Sequence, residues 1–323
     1  MIILFTTQPH CSTHRDLERH PEIDFRVIPY ERLLRARRLP QATYIFSDLD
    51  RLHFWDLECV ASIYKQLREA GARVLNNPAR HRSRYQLLRH LHHQGVNEFN
   101  VWQADDEPPP DRYPVFLRTD SAHRGVLTDL IYSPQSLETA IEEQVARGIP
   151  LRELIIVQFA AEPVHEGLYR KLAAYRIADR VIGAPCAHQE TWVAKYGQRG
   201  IAPGELYNEE YQMVTEHTHA QALGGAFDTA DIEYGRVDFG LVKGRRQVYE
   251  INTNPYFRNL KSHPFSIRLE TFQCFFHNLV DALSEIDTPS QKRWHKLPDS
   301  RTWRAWLVDL RRTRRLSRWP RMP

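Results

Sequence analysis

The chain has 323 residues, 42% of them hydrophobic and 26% charged, with a formal net charge of +4. That is enough chain for one large domain or two to three small ones, and the balance is that of a soluble globular protein. The start, MIILFTTQPH, lacks a basic region before its few apolar residues, and no later stretch approaches the roughly 18 apolar residues of a membrane span, so a cytoplasmic protein is expected.

Taken in order, MIILFT, DFRVI and TYIFS read as strands, Phe54 to Ala70 as an amphipathic helix, and ARVLN as a further strand. Strands and helices joined by short links imply a parallel α/β domain over 1–75. Asn76-Asn77-Pro78 makes a turn before a helix that closes at Gly95, and the prolines of ADDEPPPDRYP mark a linker near 104–112 inside a second region, 76–285. In that region YPVFLRT and GVLTDLIYS read as two strands around a loop, Pro134 to Gly148 as a helix, and LIIVQFA as a buried strand. Tyr169 to Ile177 and Arg180 to Cys186 form a strand pair, and one helix is expected from about Glu205 to Leu223. Tyr234 to Val242 and Gln247 to Asn252 form a hairpin turning at Lys243-Gly244-Arg245, and Pro264 to Glu285 is helical.

Cys11, Cys59, Cys186 and Cys274 lie far apart without a CxxC pair, so neither a zinc site nor a disulfide framework is expected. His90, His92 and His93 in RHLHH continue a polar helix with no carboxylate or Cys beside them and read as surface residues. The segment 286–323 is a basic tail. From Gln291 onward it holds 11 lysines and arginines against two aspartates, while the rest of the chain has 33 basic and 38 acidic residues. Trp303, Trp306, Leu307 and Leu310 fall at helical spacing and would dock on the body. The arginines among them are solvated on that reading, or meet an anionic partner: an acidic protein segment, nucleic acid or anionic lipid.

The segment RVDFGLVKGRRQVYEINTNP carries the most chemistry. On adjacent antiparallel strands Asp238 and Glu250 project from one face, and the period of two adds Asn252 to it. Two carboxylates and an amide oxygen are hard ligands of the kind Mg²⁺ takes, with Mn²⁺ an alternative occupant. The loop from Arg118 through Arg124 to Gly125 offers small and basic residues to phosphates. Lys171 shares a strand face with Ala173 and Tyr175, while Arg176 lies on the opposite face. After LIIVQ, the backbone at Gln158, Phe159 and Ala160 could meet an adenine edge, and Glu162 the ribose hydroxyls. For each segment alone a solvated hairpin, an ordinary loop or a buried strand remains an alternative.

In this order the segments resemble the ATP-grasp superfamily across roughly residues 73 to 265. They are most similar in motif to D-alanine–D-alanine ligase and the RimK-type carboxylate-amine ligases. The resemblance implies a mixed α/β (α+β) ATP-grasp fold with an N-terminal parallel α/β domain and ATP bound between two lobes. It implies ATP contacts at Arg118, Arg124, Gln158, Phe159, Ala160, Glu162, Lys171 and Arg176, and a metal held by Asp238, Glu250 and Asn252. Arg236 holds the place of an arginine facing the reacting carbonyl, with Lys171 as a second catalytic cation, and Asn254 and Ser262 fall among substrate contacts. The sequence departs from the pattern at Arg118, where Lys is more usual, and at Tyr256, where Gly is.

The expected activity is ligation of a carboxylate to an amine through an acyl phosphate. A kinase acting on a small-molecule hydroxyl and a non-catalytic nucleotide-gated binding protein remain the alternatives. The substrates and any oligomeric assembly stay open.

Overall fold

The computed structural model describes the chain except for residues 122–124, 196, 258–259, 290–292 and 298–323. Arg124 and the Trp303–Leu310 pattern therefore lie outside the described residues. Two compact units emerge, one from the described residues of Met1–His81, Thr253–Phe257 and Val280–Pro323, the other from those of Arg82–Asn252 and Arg258–Leu279. No helix among the described residues is long and apolar enough to cross a membrane.

The first unit is built on a four-stranded parallel sheet of β1 (Ile2–Thr6), β2 (Phe25–Pro29), β4 (Thr43–Phe46) and β5 (Val74–Leu75), in the order β2-β1-β4-β5. Every residue of β1 and β4 is buried, as expected of parallel strands covered on both faces. Helix α3 (Phe54–Glu69) contributes Val60, Ile63, Tyr64 and Leu67, spaced three or four apart, to a core with Phe5, Tyr44 and Phe46. Short helices α1 (Arg15–Glu18) and α2 (Tyr30–Leu33) flank β2, and β3 (Arg38–Pro40) pairs antiparallel with β14 (Trp294–Lys296).

In the second unit, β6 (Val101–Gln103), β7 (Val115–Thr119) and β8 (Leu154–Gln158) form an antiparallel sheet in the order β6-β8-β7. The strands β10 (Leu168–Ile177), β11 (Arg180–Gln189), β12 (Tyr234–Val242) and β13 (Arg245–Asn252) form a second one, ordered β11-β10-β12-β13, with β9 (Pro163–His165) beside β10. Helix α4 (Arg84–His93) starts at a capping box, in which Ser83 and Gln86 bond reciprocally. It packs Leu87, Leu88 and Leu91 into the same core as Leu223, Ala226 and Phe227 of α7 (Ala220–Ala230) and Val237 and Phe239 of β12. The remaining helices are α5 (Pro134–Ala146), α6 (Gly204–Thr215) and α8 (Ser266–Ser284).

Two expectations are corrected. GVLTDLIYS forms only two isolated bridges to β7, because the Thr128 hydroxyl replaces a backbone partner by accepting the Leu117 N–H at 3.0 Å. The helix expected from Glu205 to Leu223 is two, α6 and α7, broken where His217 takes a left-handed φ of 52°. The proline-rich linker contains a turn of 3₁₀ helix at Pro110–Arg112.

The β12–β13 hairpin turns through Lys243 and Gly244, both at positive φ (50° and 73°), as a two-residue turn matched to strand twist requires. Its middle is crowded. A Cβ on Gly240 would overlap the Tyr249 hydroxyl, which donates to the Ala160 carbonyl at 2.8 Å. Gly240→Ala is therefore expected to displace the tyrosine ring and lower stability by about 1–3 kcal/mol in urea denaturation. An unchanged midpoint would show that the ring relaxes without cost.

Candidate active site

The antiparallel ladder of the second unit sets its polar residues in rows. Asp238 lies opposite Ala173 on one side and Glu250 on the other, and Arg236 lies opposite Tyr175 and Asn252. Side chains in register across neighbouring strands share a face, so Asp238, Glu250, Arg236 and Asn252 form one polar field. Between Asp238 and Phe239 the partner strand slips from Glu250 to Val248, leaving Tyr249 as an extra residue. Such a bulge re-aims side chains, and here the consecutive Tyr249 and Glu250 both line one pocket. A second irregularity, between Lys171 and Ala173, accompanies the appearance of Tyr169, Arg170 and Lys171 on the same wall.

The two carboxylates are held by cations. Asp238, 1% exposed, accepts from Lys171 Nζ at 2.8 Å and from both Nε (2.6 Å) and Nη2 (3.0 Å) of Arg236. Glu250 Oε2 accepts from Arg118 Nη2 at 3.1 Å and Arg84 Nη2 at 3.3 Å. Arg84 also donates to the carbonyls of Thr119 (2.7 Å) and Asp120 (2.9 Å), while the Asp120 carboxylate takes the Tyr85 N–H, so the start of α4 is fastened to the end of β7. Four cations thus face two anions. Burial, together with neighbouring Arg84, pushes the Arg118 guanidinium down to about 10. Burial works against the charge of Arg236 too, but Asp238 outweighs it and holds that guanidinium above its ordinary value.

From this charged end the pocket runs between apolar walls. Phe116 and Phe159 meet Trp192 at ring-centroid distances of 4.9 and 5.6 Å, and Phe99, Val157 and Tyr249 complete the lining. Gln158, Ala160 and Glu162 lie along the same pocket. Their polar groups are partly committed: Gln158 Oε1 accepts the Asn100 N–H, the Phe159 N–H donates to the Pro114 carbonyl, and Glu162 accepts the Lys243 N–H.

Arg118, Lys171, Asp238 and Glu250 are brought together, as are Gln158, Phe159, Ala160 and Glu162. Arg176 is not among them: strand alternation turns it to α7, where it binds Asp228 at 2.5 Å and the Ala178 carbonyl at 2.7 Å. Ser262 accepts a hydrogen bond from Arg199 at 3.2 Å, and Asn254, in the first unit, accepts one from Thr13 at 3.0 Å. The sequence reading passed over Arg84, Trp192 and Lys195. Lys195 lines the pocket, and a Cβ built on Gly125 would lie 3.9 Å from its Nζ. Arg84 carried a faint signal, because a cation in the first turn of a helix opposes the helix dipole and needs a partner.

No group of three or more His, Cys, Asp or Glu side chains suited to a metal occurs among the described residues. Asp238 and Glu250, directly opposite one another, and the Asn252 amide present hard oxygens of the kind that suits a magnesium ion.

A mixed α/β chain with this pair of antiparallel sheets and a polar hairpin between cations has the ATP-grasp fold. Solved D-alanine–D-alanine ligases share it. The enzyme from Bacillus anthracis, in complex with ATP, superposes with a TM-score of 0.50 at 12% identity over 88% of this chain and 97% of that one. The ligase from Coxiella burnetii gives 0.50 at 13% identity over 98% and 99%. No family model and no curated protein matches the sequence.

Proposed function

We propose that the chain is an ATP-dependent ligase that joins a carboxylate to an amine through an acyl phosphate. The observation that carries this reading is the surplus of cations: Arg84, Arg118, Lys171 and Arg236 around Asp238 and Glu250, at the end of an aromatic-lined pocket. An apolar slot suits a purine, and excess positive charge beside hard oxygen ligands suits a polyphosphate with its cation. Asp238, Glu250 and Asn252 would hold Mg²⁺, or Mn²⁺ in its place, which supplies charge neutralisation on the phosphates. D-alanine–D-alanine ligases share the fold, which favours this class of reaction.

In the proposed reaction a substrate carboxylate attacks the γ-phosphorus and ADP leaves. Lys171 and Arg118 donate to the phosphoryl oxygens as charge shifts onto the leaving group, and Lys195 is a further cation of the pocket. An amine then attacks the acyl carbon, Arg236 donates to the developing oxyanion, and phosphate departs. No protein nucleophile is required. Such a reaction belongs in the cytoplasm, where ATP is replenished.

The test is a screen of amino acids and short peptides for amine-dependent nucleotide turnover. ADP, phosphate and an amide are the expected products, because attack at the γ-phosphorus leaves the β-phosphate on the nucleotide. AMP with pyrophosphate would overturn the acyl-phosphate route, and a phosphate ester in place of an amide would make the chain a kinase.

A further inference from the structure

Each of the two carboxylates in the candidate site meets two cations, and in each pair one cation is fastened elsewhere as well and the other is not. Arg236 grips Asp238 through Nε and Nη2 and also hydrogen-bonds the Tyr175 side chain. Arg84 reaches Glu250 with Nη2 while its Nη1 is tied to the carbonyls of Thr119 and Asp120. The side chains of Lys171 and Arg118 have a single hydrogen-bond partner each among the described residues, Asp238 Oδ2 at 2.8 Å and Glu250 Oε2 at 3.1 Å. Of the four cations, these two line the pocket. All six residues belong to the second unit.

The same bonds block the carboxylates. Lys171 Nζ and Arg236 Nη2 share Asp238 Oδ2, and Arg118 and Arg84 share Glu250 Oε2, so both lone-pair directions of each oxygen are engaged. A metal ion can take either oxygen only where one of its donors turns away. Asp238 is 1% exposed, and a carboxylate so buried is costly without a positive partner, so a departing cation must be replaced. Four cations against two anions leave a surplus of positive charge that repels a divalent cation arriving alone and attracts a polyphosphate. Lys171 and Arg118, 19% and 14% exposed, can turn to an anion in the pocket without giving up any other hydrogen bond among the described residues.

Resting on the nucleotide-dependent reading above, we infer that Lys171 and Arg118 are exchangeable partners of Asp238 and Glu250: they compete with a divalent cation for the two carboxylates, and the phosphates of the nucleotide relieve that competition by drawing both side chains to themselves. Arg236 and Arg84 stay fastened and keep the carboxylates aimed. The nucleotide therefore binds before its metal or together with it, and the buried aspartate keeps a cation throughout.

Binding to the full chain, measured without turnover, tests this. Mn²⁺ alone is followed by its paramagnetic resonance, and a non-hydrolysable ATP analogue, in chelator and then with Mn²⁺, by calorimetry. The unaltered chain is expected to bind the analogue in chelator and to bind Mn²⁺ about 10²-fold more tightly once the analogue is present. Part of that gain is the metal's own contact with phosphate, so the variants decide. Lys171→Met is expected to shift the separate affinities in opposite directions, Mn²⁺ alone about tenfold tighter and the analogue in chelator about tenfold weaker, so that the coupling between them shrinks. A lysine that only contacts phosphate would weaken the analogue and leave Mn²⁺ alone unaltered. Arg118→Met should repeat the pattern through Glu250, and it carries the test if Lys171→Met does not fold. Arg176→Gln removes the same charge from the opposite face of β10, where Arg176 meets Asp228, and should leave the affinity for Mn²⁺ within about twofold. An equal gain in Arg176→Gln, or no gain in Lys171→Met and Arg118→Met, would overturn the exchange and leave the ligase reading standing. If the unaltered chain binds no analogue with or without Mn²⁺, the nucleotide reading falls and this inference with it.

Discussion

Asp238→Asn is expected to reduce nucleotide turnover by about 10³-fold or more at saturating Mg²⁺, because charge stabilisation of this kind is worth several kcal/mol. The change keeps volume and removes one negative charge from the point where Lys171 Nζ and two nitrogens of Arg236 converge. The amide retains one oxygen for those donors, while its NH₂ must face a cation. That conflict would be severe in a sealed core. Here the Lys171 and Arg236 side chains are 19% and 24% exposed and can turn to water, so the stability cost is expected to stay near 1–3 kcal/mol. Glu250→Gln should act similarly through Arg84 and Arg118. ADP release together with urea denaturation separates the two effects: a folded Asp238→Asn enzyme that keeps most of its turnover would remove this carboxylate from the chemistry.

What the sequence revealed of this site followed from short-range rules. Alternation along a strand correctly places Asp238 beside Glu250 across the hairpin, and the same rule turns Arg176 away, toward Asp228. The parallel strands of the first unit were legible as continuous apolar runs, because both of their faces are covered. Local rules fail where the ladder is irregular. The bulge at Tyr249 aims two successive residues at one pocket, and strict alternation assigns them to opposite faces. They fail too where a side-chain oxygen replaces a backbone partner, as Thr128 does beside β7. Arg84 reaches Glu250 across 166 residues of sequence, and no periodicity encodes that contact.

Arg236→Lys is expected to slow amide formation by about 10²-fold while changing ATP affinity little. The guanidinium meets Asp238 with a two-pronged grip, Nε on Oδ1 and Nη2 on Oδ2, and it also hydrogen-bonds the Tyr175 side chain. A lysine keeps the charge but has a single donor centre, so it can hold one carboxylate oxygen or face an oxyanion, not both in the geometry that a planar fork fixes. ATP affinity should survive because the contacts proposed for the nucleotide lie elsewhere: the aromatic walls at Phe116, Phe159 and Trp192, and the cations Arg118, Lys171 and Lys195. Lys171 remains bonded to Asp238 Oδ2, so that carboxylate keeps one partner even in the variant. The expected signature is a fall in kcat with KM for ATP within about threefold of the unaltered chain, since an interaction made only in the transition state lowers kcat and kcat/KM together. A variant that differs from the unaltered chain only in weaker ATP binding would place Arg236 among the phosphate contacts and leave the oxyanion to another donor.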